Sequence, residues 1–210
     1  MRAFWNQRYA AAAYAYGTEP NLFFKSQLDQ LPAGRILLPA EGEGRNAVYA
    51  ASRGWQVEAY DISEAGKEKA LRLAAKHEVN IHYQVGKLED LDYAKESFDV
   101  IGLIFAHLPP DIRTNTHDKL GQLLRPGGYI ILEAFSKAHL SYNQKNPQAG
   151  GPKDMAMLYN SELLQRDFPR FEFLTMEEEI HSLQEGEYHI GESAVVRMLA
   201  RRLPIGAVPK

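Results

Sequence analysis

The sequence predicts an α/β fold, a doubly wound, mostly parallel seven-stranded sheet finished by a C-terminal antiparallel hairpin. Three observations predict it. Short apolar runs alternate with helical segments, the pattern of parallel strands joined by crossover helices. Glycine and proline punctuate the joints between them. In the last quarter two strand-like runs follow one another with no helix between, which makes an antiparallel pair at the sheet edge.

The alanine- and aromatic-rich stretch from about Ala3 to Ala15 predicts a helix, broken by the turn chemistry of Tyr16-Gly17-Thr18-Glu19-Pro20. Asn21 can cap a second helix that continues through Leu28. Arg35–Leu38 predicts a buried strand and Arg45–Arg53 a helix stopped by Gly54. Trp55–Tyr60 predicts a strand tipped by Asp61, and Ser63–His77 a helix with Ser63 as its cap. Ile81–Val85 and Ser97–Ile104 predict two more strands. Asp111–Leu124 predicts a helix ending at Arg125-Pro126-Gly127-Gly128, and Tyr129–Ala134 the fifth strand. Ser136–Met157 lacks periodicity and predicts a long binding loop or lid. Asn160–Asp167 predicts a helix, and Phe171–His181 and Ser193–Leu203 two strands joined by the turn region Gln184–Gly191.

The chain has 210 residues, enough for one domain with a substantial core. Its hydrophobic fraction of 45% and charged fraction of 24% are those of a globular protein. A net charge of −3 gives no reason to expect nucleic acid as a partner. With no cysteine, disulfides and thiolate metal sites are excluded. Met1–Tyr16 has no apolar signal core, and no apolar run approaches the roughly 18 residues that span a bilayer. No membrane association and a cytoplasmic location are therefore expected.

The chemistry centres on Leu37-Leu38-Pro39-Ala40-Glu41-Gly42-Glu43-Gly44-Arg45-Asn46, which joins the first strand to the next helix. Ligands of open α/β sheets bind outside the carboxyl ends of the strands, and glycine lets the backbone approach them closely. A phosphate-bearing cofactor would set its charges against the helix N-terminus, where Glu41 and Glu43 would repel them. A sulfonium cofactor has no phosphate and carries positive charge, which suits acidic neighbours. Asp61 lies 19 residues beyond Gly42 at the tip of the second strand, the spacing of an acid that accepts hydrogen bonds from ribose hydroxyls. Its alternative role is a helix cap, since Asp61-Ile62-Ser63 precedes a helix.

The order of this loop, Asp61, Gly86-Lys87-Leu88-Glu89-Asp90-Leu91, Phe98-Asp99-Val100-Ile101 and Leu124-Arg125-Pro126-Gly127-Gly128 resembles the class I S-adenosylmethionine-dependent methyltransferases along most of the chain. More narrowly, Tyr16-Gly17-x-x-Pro20-Asn21, Glu41–Ala47 and Phe105-Ala106-His107-Leu108-Pro109 are similar to the bacterial tellurite-resistance-type methyltransferases. Leu38, Ala40 and Lys87 depart from the wider pattern, which often has an acid, a glycine and an acid there. The resemblance implies a Rossmann-like methyltransferase fold and S-adenosyl-L-methionine as cofactor. The Ala40–Gly44 backbone would line its methionine part, with Glu41 or Glu43 near its ammonium. Asp61 would hold the ribose and Ile62 would pack on adenine, which Lys87 and Leu88 would flank. Ile104 and Phe105 would face the methyl group, and Tyr16 and Gly17 would close over the cofactor. One domain, 1–210, would then comprise a helical lid (1–30), a cofactor-binding half (31–135) and an acceptor loop with terminal hairpin (136–210).

In-line methyl transfer chiefly needs alignment and exclusion of water; a base is needed only for an acceptor that carries a proton. His107, after the fourth strand, is the leading candidate base or substrate anchor, with pairing to a loop carbonyl as its structural alternative. Arg113 and His139 are weaker candidates for anion contacts, and Trp5 and Tyr9 for an acceptor pocket. Glu177-Glu178-Glu179 reads as an exposed strand edge, and no metal is expected. The expected acceptor is a small molecule, a thiol or a chalcogen anion among the candidates. A dinucleotide-dependent oxidoreductase and a non-catalytic S-adenosylmethionine-binding module are the alternatives, and the oligomeric state is open.

Overall fold

The computed structural model describes residues 1–204 and 206. Seven strands among them form one sheet: β1 (Arg35–Pro39), β2 (Gln56–Asp61), β3 (His82–Val85), β4 (Phe98–Ile104), β5 (Leu124–Phe135), β6 (Phe171–Glu185) and β7 (His189–Arg202). Their order is β3-β2-β1-β4-β5-β7-β6. The first five are parallel, and β7 runs antiparallel between β5 and β6. Seven α-helices accompany them: α1 (Arg2–Tyr9), α2 (Leu22–Leu28), α3 (Arg45–Ser52), α4 (Glu64–Lys76), α5 (Pro110–Leu123), α6 (His139–Lys145) and α7 (Ser161–Asp167). No helix among the described residues is long and apolar enough to cross a membrane.

Strand alternation sends successive side chains to opposite faces, and both faces of this sheet are covered. Leu37, Ile101, Leu103, Ile130 and Leu132 pack on one face with Leu120 of α5 and Leu163 and Leu164 of α7. Ile36, Leu38, Val100 and Ile131 pack on the other with Phe24 of α2 and Ala47 and Ala50 of α3. Each fully buried Leu or Ile contributes about 1.5–3 kcal/mol. The chain reverses its winding direction between β1 and β4, which opens a crevice at their carboxyl ends.

The expected caps are present: Asn21 Oδ1 accepts from Phe24 N at 2.9 Å, and Ser63 Oγ from Gly66 N at 3.1 Å. Three expectations need correction. The first helix ends at Tyr9 and not near Ala15, because the alanine run is held against α4, where Lys69 Nζ donates to Ala13 O at 2.5 Å. Tertiary contacts override helix propensity there. The stretch 136–157 is not a plain loop: it contains α6, whose His139 ring is sealed against Phe135 at 4.0 Å. The terminal hairpin is also longer than expected. β5 pairs with β7 only from Tyr129↔Arg201 to Phe135↔Val195, while the β6–β7 ladder continues to Glu185↔His189. Its tip therefore projects past the carboxyl edge of the sheet and meets the N-terminal segment, where Glu187 N donates to Ala15 O at 2.9 Å.

Candidate functional site

The loop from β1 to α3 is built from left-handed backbone: Ala40 has φ 53°, Gly42 61° and Gly44 89°. Ala40 holds a conformation that favours glycine, a small strain stored in the loop. Asp61, at the end of β2, fixes the loop from the side: its carboxylate accepts from Gly42 N at 3.1 Å and from Ser63 N at 2.9 Å. Burial pushes its pKa up to about 6 against those hydrogen bonds.

Both glutamates of the loop are engaged. Gly44 has no side chain to cap α3, and Glu41 does so instead, accepting from Ala47 N at 2.7 Å. Burial pushes Glu41 up to about 7. Glu43 accepts from Ala15 N at 2.8 Å and pairs with Lys69 Nζ at 2.6 Å, with both side chains almost fully buried. The acids thus organise the loop and tether the N-terminal segment to it.

Helix α1 closes over this loop. Asn6 Oδ1 accepts from Ser63 Oγ at 2.7 Å. A Cβ on Gly42 would lie 2.7 Å from the Tyr9 hydroxyl, so the tyrosine occupies the space glycine leaves free. Trp5 stacks on Tyr9 with ring centroids 5.4 Å apart.

Across the crevice, β4 ends in a second strained residue, Phe105, with φ 52°. Its ring lies 4.7 Å from Phe135 and 4.4 Å from His189, and His189 lies 4.5 Å from Tyr16. Behind this aromatic box runs a buried polar network. Glu185 Oε2 accepts from Arg45 at 2.8 Å and lies 3.0 Å from His189 Nδ1. Asn21 Nδ2 donates to Glu185 Oε1 at 3.0 Å and to Glu133 Oε1 at 2.8 Å, and Glu133 is paired with Arg197. Arg45 and His189 beside Glu185 overcome its burial and hold its carboxyl down at about 2.

The comparisons with known proteins bear on the segment that contains this loop. Residues 36–128 match the family model described as a methyltransferase domain, the segment that holds the glycine loop and Asp61. That segment is thus similar to methyltransferase domains. A curated relative, the ubiquinone/menaquinone biosynthesis C-methyltransferase UbiE of Geotalea daltonii, is 31% identical over 121 residues, covering 54% of this chain and 51% of the relative. The chain thus spans about half the length of that relative. Among solved structures, one from work on the conversion of a disulfide bond into a thioacetal group during echinomycin biosynthesis superposes with a TM-score of 0.77. Its identity is 16%, and the match covers 97% of this chain and 92% of that one. TehB from Haemophilus influenzae superposes with a TM-score of 0.69 at 16% identity, covering 96% of this chain and 66% of that one. At such identities the likeness is one of fold.

The residues around the glycine loop fit a cationic, phosphate-free cofactor. The cations nearest the loop are committed, Arg45 to Glu185 and Lys69 to Glu43. Among the expected cofactor residues, Ala40, Glu41, Gly42, Gly44 and Asp61 come together. Ile62 follows on the β2 tip, and Lys87 and Leu88 follow Gly86, whose N–H donates to Asp61 O at 3.0 Å. Tyr16 and Gly17 lie across the loop, with Arg45 donating to Tyr16 O at 3.2 Å. Ile104 and Phe105 end β4 opposite them.

His107 is placed differently from the expectation of a base. Its Nδ1 donates to Met157 O at 2.8 Å, and its Nε2 accepts from Phe135 N at 3.2 Å. Both nitrogens are consumed by backbone, so the ring ties the turn at Met157 to the end of β5 and has no lone pair for an acceptor. Burial lowers its pKa to about 4. Its neutral form is the native one, so stability present above the ordinary imidazole pKa is lost as pH falls from about 6.5 through about 4. His107→Gln is expected to cost about 1–3 kcal/mol, the penalty of an unsatisfied buried group, and to flatten that acid dependence. Urea melts between pH 4 and 7 check it, and equal slopes in both proteins would refute it.

Arg113 is likewise not an anion contact, since it pairs with Asp167 at 3.3 Å, and His139 Nε2 is spent on Gly150 O at 3.0 Å. The residues missed from sequence are Asn21 as a network member, Arg45, Lys69, Glu133, Glu185 and His189. One local signal existed: Glu185 and His189 are four apart around Gly186, a spacing a tight turn brings face to face.

Proposed function

We propose that this protein transfers the methyl group of S-adenosylmethionine in line to a small-molecule acceptor, a thiol or chalcogen nucleophile being the favoured class. The observation that carries the reading is the Asp61 carboxylate bound to the glycine loop at Gly42 N, with Arg45 and Lys69, the cations that contact the loop, already paired to acids. That arrangement suits a ribose and a positive sulfur better than a pyrophosphate.

When bound, S-adenosylmethionine supplies a methyl group already activated on sulfur. The chain's part is to hold and to exclude. Asp61 accepts from the ribose hydroxyls, the left-handed backbone of Ala40, Gly42 and Gly44 shapes the loop beside the ligand, and Tyr9, Trp5 and Tyr16 keep water out. Phe105 and Phe135 form an apolar wall for the acceptor, and sulfur packs favourably against aromatic rings.

Asp61→Ala is expected to weaken S-adenosylhomocysteine binding by about 1.5–3 kcal/mol, the cost of removing hydrogen bonds to a charged group. Titration calorimetry measures it. Unchanged affinity in a folded variant would reduce Asp61 to a loop clamp. Binding of NADH by the wild type, with no binding of S-adenosylhomocysteine, would favour an oxidoreductase.

A further inference from the structure

The tip of the β6–β7 hairpin brings a histidine and a glutamate to the wall where the methyl group is expected, and nothing in the cofactor site accounts for them. His189 is 5% exposed, and three aromatic rings fix its plane: Tyr16 at 4.5 Å, Phe105 at 4.4 Å and Phe135 at 5.1 Å. Its Nδ1 faces Glu185 Oε2 at 3.0 Å. Glu185 is itself held by Arg45 at 2.8 Å and by Asn21 at 3.0 Å, so it stays ionised and stationary. Nε2 has no hydrogen-bond partner among the described residues. Unlike Nδ1 of His139, it is not an atom sealed from solvent. An acid that fixes one ring nitrogen as a donor leaves the other as a proton acceptor and stabilises the imidazolium once it forms.

We infer that His189, oriented by Glu185, is the general base that deprotonates the methyl acceptor, which therefore enters protonated, as a thiol or hydroxyl on an apolar body. This rests on the methyl-transfer reading above and assigns to His189 the role that the geometry denies to His107. As the acceptor's lone pair forms the bond to the methyl carbon, the carbon–sulfur bond breaks and its pair stays on sulfur. The acceptor's proton goes to His189 Nε2 and is later released to water. Position 105 supports the placement, because the strained Phe105 backbone turns its ring onto the imidazole.

The charged and titratable groups around His189 are Glu185 and Tyr188 on the hairpin, Arg45 on α3, His139 on α6 and Tyr16 on the N-terminal segment, with His107 behind Phe135. Burial first, then Arg45 and His139, favour the neutral ring, while Glu185 favours the charged one. The base is therefore ready at neutral pH.

The first test needs no turnover. Nitrogen-resolved NMR of the imidazoles in the free protein is expected to show the His189 proton on Nδ1, and Glu185→Gln is expected to move its titration to lower pH. A proton on Nε2, or a titration that Glu185→Gln leaves in place, overturns the assignment. Because Glu185 also anchors Arg45, the second variant is His189→Gln, which keeps that pair. With thiol acceptors of ascending pKa, its turnover is expected to fall about 10²–10⁴-fold for those protonated at the assay pH and little for one already ionised. An equal loss across the series makes His189 structural and overturns the base. Failure of the wild type to bind S-adenosylhomocysteine would sink the methyl-transfer reading instead, and the NMR result decides the His189–Glu185 pair either way.

Discussion

Replacing Lys69 with methionine is expected to destabilise the fold by about 3–5 kcal/mol, the usual cost of leaving a buried charge without its partner. Lys69 and Glu43 meet at 2.6 Å with side chains 4% and 3% exposed. Without the ammonium, Glu43 keeps only the Ala15 N–H at 2.8 Å, and Ala13 O loses its donor. For a chain of this size the loss amounts to a fall in Tm of roughly 6–20 °C. Adding Glu43→Gln to Lys69→Met removes the stranded charge and is expected to restore part of the stability. The double-mutant cycle is read by urea unfolding. Additivity of the two single changes would mean that the pair contributes nothing as a pair.

Gly44→Ala is expected to cost about 2–5 kcal/mol by two separable routes. Its φ of 89° is left-handed, which costs a side-chain-bearing residue about 1–2 kcal/mol. The new Cβ would also lie 2.5 Å from Ala70 Cβ and 2.7 Å from Ala70 Cα, so α4 must move, and overpacking costs about 1–3 kcal/mol. Gly54 is the control, because its φ is 85° but its nearest neighbour is 4.0 Å away. Gly54→Ala should show the backbone cost alone. Equal losses in the two variants would show that α4 yields freely, and the close approach of the glycine loop to that helix would then carry no energy.

The contrast between these two predictions also separates what was legible in the sequence from what was not. Gly44 and Asp61 were legible because topology fixes their place: a loop after the first strand and an acid after the second must meet at the carboxyl edge. The strands of the parallel half were legible because they are buried on both faces, as Ile36–Leu38 and Val100–Leu103 are. The far half of the hairpin was not. Beyond Val195 it leaves the sheet, and its polar residues read as a turn region from Gln184 to Gly191. Lys69 and Glu43 are 26 residues apart, and Arg45 and Glu185 140 apart. No local pattern reports such pairs. His107 stood where a base would stand, but which atoms its nitrogens face depends on Met157 and Phe135, set by a loop whose path has no periodicity to read. The loop acids were recognised as unsuited to phosphate, while their use in capping α3 and holding Ala15 depends on contacts that only the folded chain makes.

The hairpin tip has a consequence for how the protein is made. Glu185 and His189 leave the ribosome well after Tyr16, Asn21 and Arg45, yet they close a wall that those residues begin. Synthesis delivers residues in order, at about 5–20 per second, so the glycine loop and Asp61 are complete well before their opposite wall exists. A nascent chain stalled after β5 has the glycine loop and Asp61 but lacks the glutamate that neutralises Arg45 and the strand that supplies Arg197 to Glu133. Closure of this wall thus waits on synthesis of the β6–β7 hairpin, which acts as its latch.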